Sequence, residues 1–479
     1  MASIIILLII IACAVVQYLK NTSVNAFISI ILSIIAGIVA FGYFEFVSGI
    51  LIQKGDDGLF AAIASWAQSL SFLLLFVLIF GSLQTAVVFL TKENKIEFDL
   101  LPEMIGRVVC GIILGLFISG YFLTFLTISP LPAKFPYGRF DASSVQLDSP
   151  KKAFPNTDGL VTGLFGIVSK GSLSGKNSFS DLHPNFLDQL YLNRITPDIS
   201  RVTSTVPAIS VASGQAVWPA SETLKNQIDE IRSGGTIKDE ATNQTIPMPG
   251  KPTGSFNAMI VRIGIIRNAL SSNSKLNAGA FSLSQLRLIC KDSQGNIDQN
   301  VYPFGYLSAA DEITISSQIS VVSSHFNQNT TKEIDFVFCI PSGLTPEYVE
   351  FKQNNVAQIL SNAILADASE APEPAILTPA PAGGGGRGGG RGGGGRGGGG
   401  GMDSGGRGGG ERGGRGGEGQ RGGLPEDQMI DGERGGQRGD FGGEQGQRDS
   451  VFPDDQTVDE GRDGINPDEL IPQNPEENL

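Results

Sequence analysis

The residues that could do chemistry are few and scattered along the chain. The two histidines, His183 and His325, have no catalytic or metal-binding motif around them. No nucleophile elbow, phosphate-binding loop or zinc-protease helix motif occurs. The four cysteines include no Cys-x-x-Cys pair of the kind that holds zinc or exchanges disulfides. The sequence therefore predicts neither an enzyme nor a metal or cofactor site.

The low-complexity stretch AGGGGRGGGRGGGGRGGGGG occupies residues 382–401. Arg-Gly runs bind RNA through phosphate charge and base stacking, usually with interleaved aromatic residues. Here Phe441 and Phe452 lie outside the glycine run, and residues 422–479 are rich in acids that compete with phosphate for arginine. A segment of this composition buries too little apolar surface to offset the conformational entropy that it would lose on ordering. We therefore predict a disordered linker and tail over residues 361–479, and a flexible spacer rather than a nucleic-acid-binding segment.

Residues 1–130 carry four apolar stretches that are almost free of charge. A helix needs about 20 apolar residues to cross a bilayer, and in lipid it satisfies its own backbone polar groups. Four such stretches in series argue against a soluble helical core. They cover residues 3–18, 24–43, 71–90 and 105–128. The sequence thus predicts a four-helix transmembrane domain in contact with the lipid bilayer.

The first apolar stretch has the features of an uncleaved signal anchor. It lacks a basic leader, and its first positive charge, Lys20, follows the apolar run. A loose lipoprotein cleavage box ending at Cys13 is the alternative. With the N-terminus outside, slightly more positive residues fall in the inner loops than in the outer flanks. The inner set is Lys20, Lys92, Lys95 and Arg107, and the outer set is Lys54, Lys134 and Arg139.

Small and polar residues within the apolar stretches indicate how the helices pack. Gly111, Gly115 and Ser119 recur every four residues, a spacing that lets another helix approach closely. The approaching helix belongs either to the same chain or to a second copy in a homo-oligomer. Glu45, Gln84 and Arg107 are possible intramembrane polar groups. Because Glu45 ends its apolar stretch, we expect it at the membrane interface among aromatic anchors.

Three segments of this region form a pattern. AFGYFEFVSGIL (40–51) ends the second helix, LLPEMIGR (100–107) leads into the fourth, and CGIILGLFISG runs to the Pro-rich exit ISPLPAKFPYG. The pattern resembles the colicin V production protein (CvpA) family of bacterial inner-membrane proteins, over about residues 1–140. That family often carries an acid–base pair before the glycines, of which Arg107 is the member available here. The resemblance implies a multi-pass protein associated with toxin production or export and with envelope physiology.

Residues 256–360 carry a series of short strand patterns without helices between them. They cover residues 256–268, 283–296, 312–323, 333–341 and 348–352. In the first, Met259, Val261, Ile263 and Ile265 share one face. This spacing predicts a small antiparallel β-sandwich, similar to the immunoglobulin-like modules of bacterial surface proteins. Residues 131–255 indicate a Pro/Ser-rich connecting region with short helices, one of them at 185–194.

The two cysteines of the predicted sandwich fall on different faces of their strands. Cys290 alternates with the inward leucines, whereas Cys339 falls opposite the inward phenylalanines. Side chains that face opposite ways cannot be bridged without rearrangement. We therefore predict that Cys290 and Cys339 do not form a disulfide.

These patterns together predict an integral membrane protein of the colicin V production type that anchors an exported β-sandwich. Its C-terminal region would be periplasmic or exoplasmic, and its partners would be the bilayer, a second copy or other envelope proteins. Two alternatives remain open. One is a membrane-tethered nucleic-acid binder that uses the Arg-Gly run from the cytoplasm. The other is a channel or transporter subunit in which Glu45 and Gln84 line the path.

Overall fold

The computed structural model describes residues 1–53, 64–91, 100–141, 145–171, 178–195, 202–238, 243, 245–267, 279–326 and 329–378. The Gly/Arg-rich run and the acidic end of the chain, both predicted to be disordered, lie outside the described residues.

Four long apolar helices open the chain, as predicted. They are α1 (Ala2–Lys20), α2 (Ser23–Gln53), α3 (Ala67–Thr91) and α4 (Leu100–Ile128). Each is long and apolar enough to cross a membrane. The shortest, α1, has 19 residues and at 1.5 Å per residue spans about 28 Å, close to the thickness of the hydrocarbon core. Their many exposed apolar side chains are compatible with contact to a lipid bilayer.

The glycines of α4 lie against α1 of the same chain. A Cβ atom at Gly111 would stand 2.6 Å from the Ala14 Cα, and one at Gly115 would stand 2.6 Å from the Ile10 Cα. Only residues without a side chain allow two helix backbones to approach so closely. Ser119 is buried, and its hydroxyl donates to the Leu116 carbonyl within α4 (3.0 Å). Gly111 and Gly115 thus serve packing within the chain.

Helices α2 and α4 run parallel to each other. At one end the Ser23 amide donates to Glu103 Oε1 (2.8 Å), and further along, Gly37 faces the Tyr121 ring. Helix α2 also packs against α3, where the rings of Phe41 and Phe72 meet edge to face at 4.9 Å.

Within the described part of the chain, four shorter helices follow the membrane-type helices. They are α5 (Thr157–Lys170), α6 (Phe179–Leu182), α7 (Phe186–Asn193) and α8 (Glu222–Ser233). Helix α7 matches the helix predicted at 185–194. Helix α8 begins where the Ser221 hydroxyl accepts from the Leu224 amide (3.3 Å), which satisfies one of the free amides of its first turn. It buries Leu224 and Ile228.

Twelve strands are found among the described residues, and all their pairings are antiparallel. They are β1 (Ile209–Val211), β2 (Val217–Pro219), β3 (Phe256–Ile266), β4 (Gly279–Phe281), β5 (Leu286–Lys291), β6 (Ile297–Val301), β7 (Pro303–Ala309), β8 (Glu312–Thr314), β9 (Ile319–Val321), β10 (Thr331–Pro341), β11 (Thr345–Phe351) and β12 (Asn355–Gln358). A six-stranded sheet has the order β1-β3-β10-β7-β8, with β2 also paired to β3. A four-stranded sheet has the order β12-β11-β5-β6, and β4 pairs with β9.

One apolar core joins the six-stranded sheet to the four-stranded sheet. It contains Val261, Ile263 and Ile265 of β3 together with Leu288 of β5 and Phe351 of β11. The predicted inward face of the first strand is thereby confirmed. Helix α8 covers the opposite face of the six-stranded sheet through a second apolar cluster. The fold is thus two sheets around a core, with a helix on the outside.

The opposite orientation of the two sandwich cysteines is confirmed. Cys290 lies in the core between the sheets, whereas Cys339 lies in the cluster beneath α8. Both thiols are buried and free, and burial raises the pKa of each to about 12.

Two sequence-based boundaries need correction. Strands β1 and β2 belong to the six-stranded sheet although they precede residue 256. Residues 361–378, predicted as the start of the disordered linker, pack against the sandwich instead. Asp335 and Ala375 exchange hydrogen bonds, Asp335 N to Ala375 O (3.0 Å) and Ala375 N to Asp335 Oδ2 (2.7 Å), and Leu377 is buried in the core. These backbone and side-chain contacts supply the ordering energy that the composition of this segment lacks.

Candidate functional site

A buried polar cluster lies where the end of α2 meets the β-sandwich. Glu45 Oε1 of α2 is 2.8 Å from Nε2 of His183, the residue that follows α6. The His183 side chain is buried, while the Glu45 side chain is 37 % exposed. Glu45 lies eight residues before the end of α2 at Gln53, and its partner is an imidazole rather than aromatic residues alone.

The sandwich contributes a second ion pair to this cluster. Arg287 of β5 and Glu350 of β11 are direct cross-strand neighbours, and Arg287 Nη2 pairs with Glu350 Oε2. Both side chains are buried. The same Nη2 atom lies 3.1 Å from the Leu182 carbonyl oxygen and 3.1 Å from His183 Nδ1. Arg287 also donates to Asn300 Oδ1 through Nη1. The Arg287 guanidinium thus links β5 and β11 to the residues around α6.

His183 lies between groups that favour different protonation states. Its Nδ1 is 3.0 Å from Gln189 Oε1, an acceptor, and 3.1 Å from Arg287 Nη2, a donor. The doubly protonated ring can donate to Gln189 through Nδ1 while its positive charge faces the Glu45 carboxylate, whereas a neutral ring with its proton on Nε2 accepts from Arg287 at Nδ1. A change in protonation therefore exchanges one hydrogen bond of the cluster for another.

His183 and Glu350 both have a pKa above the ordinary value for their side chains. Burial lowers the pKa of His183, but the negative charges of Glu45 and Glu350 outweigh it, so the pKa is raised above its ordinary value. Burial raises the pKa of the Glu350 carboxyl, against the opposing charges of Arg287 and His183. The folded cluster consequently binds more protons than the same residues would in an unfolded chain.

Helix α3 also contributes to this cluster. Near its start, Gln68 Nε2 donates to the carbonyl oxygen of Gln353, which follows β11 (2.9 Å). The cavity among these residues measures about 20 Å³, which is room for about one water molecule. The cavity is too small for an organic substrate, so the chemistry available here is proton exchange and charge pairing.

A larger cavity of about 820 Å³ lies on the sandwich, between the 248–256 loop and residues 299–302. No ion pair joins its described lining residues. It also contains none of the residues singled out from the sequence, apart from Cys339.

The remaining sequence-predicted polar residues lie away from the cluster. Arg107 Nε donates to Glu103 Oε1 (2.9 Å), one helical turn earlier on α4. Glu103 is thus an acidic partner of Arg107 within α4, and a role for the two residues as the family's acid–base pair stays a prediction. Gln84 is half-buried on α3, about 24 Å along the helix axis from Gln68.

Sequence reasoning missed His183, Arg287 and Glu350 as members of this cluster. None of them sits in a local motif, and their partners lie on elements remote in sequence. Only the strand patterns could have paired Arg287 with Glu350, since alignment of β5 with β11 sets them opposite each other.

No group of three or more histidine, cysteine or acidic side chains that could hold a metal ion is found among the described residues. Comparison of the chain with protein-family models, with curated proteins and with solved structures finds no match. The family resemblance therefore stays a prediction, and the proposal that follows rests on the geometry of this chain.

Proposed function

We propose that the chain is an integral membrane protein of the colicin V production type, whose four helices hold an exported β-sandwich in a fixed position at the membrane surface. Its role would be in toxin production or export, or in maintaining the cell envelope. On this proposal the protein lies in the bacterial inner membrane and its sandwich lies on the periplasmic side.

The buried contact between membrane helices and sandwich is the observation that carries the proposal. A sandwich on a flexible tether would meet the helices through solvated side chains. Here Glu45 of α2 reaches His183, and Gln68 of α3 reaches the backbone of Gln353. Buried polar contacts of this kind require a defined geometry, because an unsatisfied buried polar group costs about 1–3 kcal/mol. They support a fixed attachment of the sandwich to the helices rather than a flexible tether.

The proposed orientation rests on the distribution of positive charge and on the number of helices. Because the described residues contain four helices of membrane-spanning length, the N-terminus and the sandwich would lie on the same side. The slight excess of Lys and Arg in the opposite loops then favours a periplasmic sandwich. An immunoglobulin-like connection of the strands stays a prediction.

Reporter fusions test the orientation. A phosphatase that is active only in the periplasm and, separately, a fluorescent protein that folds only in the cytoplasm would be attached after Ala382. Phosphatase activity without fluorescence is the expected result. Fluorescence without phosphatase activity would overturn the exported sandwich and make RNA binding by the Arg-Gly run the next hypothesis to test.

A deletion strain tests the physiological role. Loss of the gene should impair toxin export or make the envelope permeable to a normally excluded dye. The wild-type chain should restore the barrier, and a chain ending after α4 should not. Equal rescue by the truncated chain would contradict a role for the anchored sandwich.

A further inference from the structure

Helix α5 is apolar on both its inner and its outer face. Its sequence, TDGLVTGLFGIVSK, carries charge only near its ends, at Asp158 and Lys170. The inner face buries Val161 and Phe165. A soluble surface helix would present polar residues on its outer face.

The outer face of α5 instead exposes large apolar side chains. Ile167 is 73 % exposed and Leu160 is 43 % exposed, and Phe154, just before the helix, is 82 % exposed. Between them, a Cβ atom added at Gly163 or Gly166 would meet no neighbouring atom, so the described residues leave this face open. An apolar surface of this kind marks a contact with a partner or a membrane.

The position of α5 along the long helices identifies that partner. A Cβ atom at Gly120 of α4 would stand 2.4 Å from the Thr157 carbonyl oxygen, and Gly120 lies about 12 Å before Ile128 along the helix. The Phe165 ring stacks on Phe41 of α2 at 4.8 Å. Helix α5 therefore lies beside the last turns of the apolar spans and not beyond them.

Positive side chains surround this apolar surface. Lys151 and Lys152 precede α5 and Lys170 ends it, and all three are exposed. Lysines at the borders of a lipid-facing surface extend their ammonium groups to the headgroup phosphates. A helix lying in the membrane plane buries its apolar face about 5–10 Å into the boundary between headgroups and acyl chains. The start of α5, about 12 Å before the end of α4, lies slightly deeper than that range.

We propose that α5 is a fifth membrane-embedded element, which lies in the bilayer interface with Phe154, Leu160 and Ile167 in contact with lipid acyl chains. This inference goes beyond the proposed function, since it concerns a lipid contact of a segment too short to cross the membrane. It holds for either orientation of the chain. It would also extend the membrane domain past the four spanning helices, and bring the sandwich close to the bilayer surface.

Spin labelling of the full chain in phosphatidylcholine vesicles tests the proposal. Nitroxide labels would be attached to Ile167→Cys and Leu160→Cys. The lipid control is Ile35→Cys, exposed on α2, and the water control is Asn226→Cys, exposed on α8. Power saturation compares collisions with oxygen, which concentrates in lipid, and with a water-soluble nickel chelate.

We expect the oxygen-to-nickel accessibility ratio at residues 160 and 167 to match that of residue 35 and to exceed that of residue 226 several-fold. A ratio equal to that of residue 226 would place α5 in water and overturn the proposal. Low collision rates with both reagents would mean that protein covers this face, which would also overturn it. Alanine would replace Cys13 and Cys110 in every sample, because both are only half-buried.

Discussion

Replacing Glu350 with glutamine would leave the buried Arg287 guanidinium without its carboxylate partner. Only 4 % of the Arg287 side chain and 3 % of the Glu350 side chain are exposed, so water cannot replace the lost charge. Removal of one member of a buried ion pair costs about 3–5 kcal/mol. We expect Glu350→Gln to lower the free energy of unfolding of the sandwich by about that amount. Urea denaturation of the detergent-solubilised full chain, followed by near-ultraviolet circular dichroism, measures it.

The surface pair of Glu222 with Lys225 provides the matched control. These side chains are 83 % and 41 % exposed, and pairs of this kind contribute little to stability. Glu222→Gln should therefore leave the denaturation midpoint unchanged. A double variant, Arg287→Met with Glu350→Leu, should be more stable than Glu350→Gln, because it leaves no unpaired charge. If Glu350→Gln and Glu222→Gln had equal midpoints, the assignment of a buried, structurally required ion pair would be refuted.

Helix packing, the titration of His183 and the segment after the sandwich can each be tested by substitution. Gly115→Val should destabilise the membrane domain by about 1–3 kcal/mol, because the added side chain overpacks against Ile10. Gly81 faces open space, so Gly81→Val should lower the thermal midpoint of the membrane domain less. Equal decreases of the midpoint in the two variants would contradict the α1–α4 contact. Because the pKa of His183 is raised in the folded chain, its stabilising contribution is complete below about pH 6.5, its ordinary value, and is lost as the pH rises through the folded pKa. Hydrogen exchange in α7, corrected for the intrinsic effect of pH, should thus quicken with rising pH, and His183→Gln should reduce this dependence. Asp335→Asn should weaken the attachment of residues 371–378 and hasten their cleavage by protease, and a cleavage rate equal to that of the wild type would contradict the attachment.

The apolar helices and the strand faces could be predicted because their signals are local. A span of uncharged residues as long as a bilayer is thick has few other structures available to it. Alternation of side chains along β3 was enough to assign Val261, Ile263 and Ile265 to the core, and the same parity separated Cys290 from Cys339. Strands β1 and β2 were not predicted, because each has three residues. Three residues are too few to show an alternation of apolar and polar side chains.

The candidate site could not be predicted because its members meet only in the folded chain. Glu45 stood out as an acid at the end of an apolar helix, yet nothing around His183 marked it as the partner. The pairing of Arg287 with Glu350 depends on the alignment of β5 with β11, which sequence spacing alone did not specify. Residues 371–378 were misassigned for a related reason: their composition resembles a linker, and the contacts that order them come from β10, through Asp335.

Cross-linking between α3 and the sandwich tests whether the membrane-type helices hold the sandwich in a fixed position. Gln68→Cys and Gln353→Cys would be combined in the full chain and treated in intact membranes with a short bifunctional thiol reagent, and the linked peptides would be identified by mass spectrometry. Gln68→Cys with Lys225→Cys is the control pair, because Lys225 lies on α8, which covers the outer face of the six-stranded sheet. An anchored sandwich predicts efficient linkage of residues 68 and 353 and little linkage of residues 68 and 225. Equal yields from both pairs would mean that the sandwich moves freely relative to the helices, and would contradict the account.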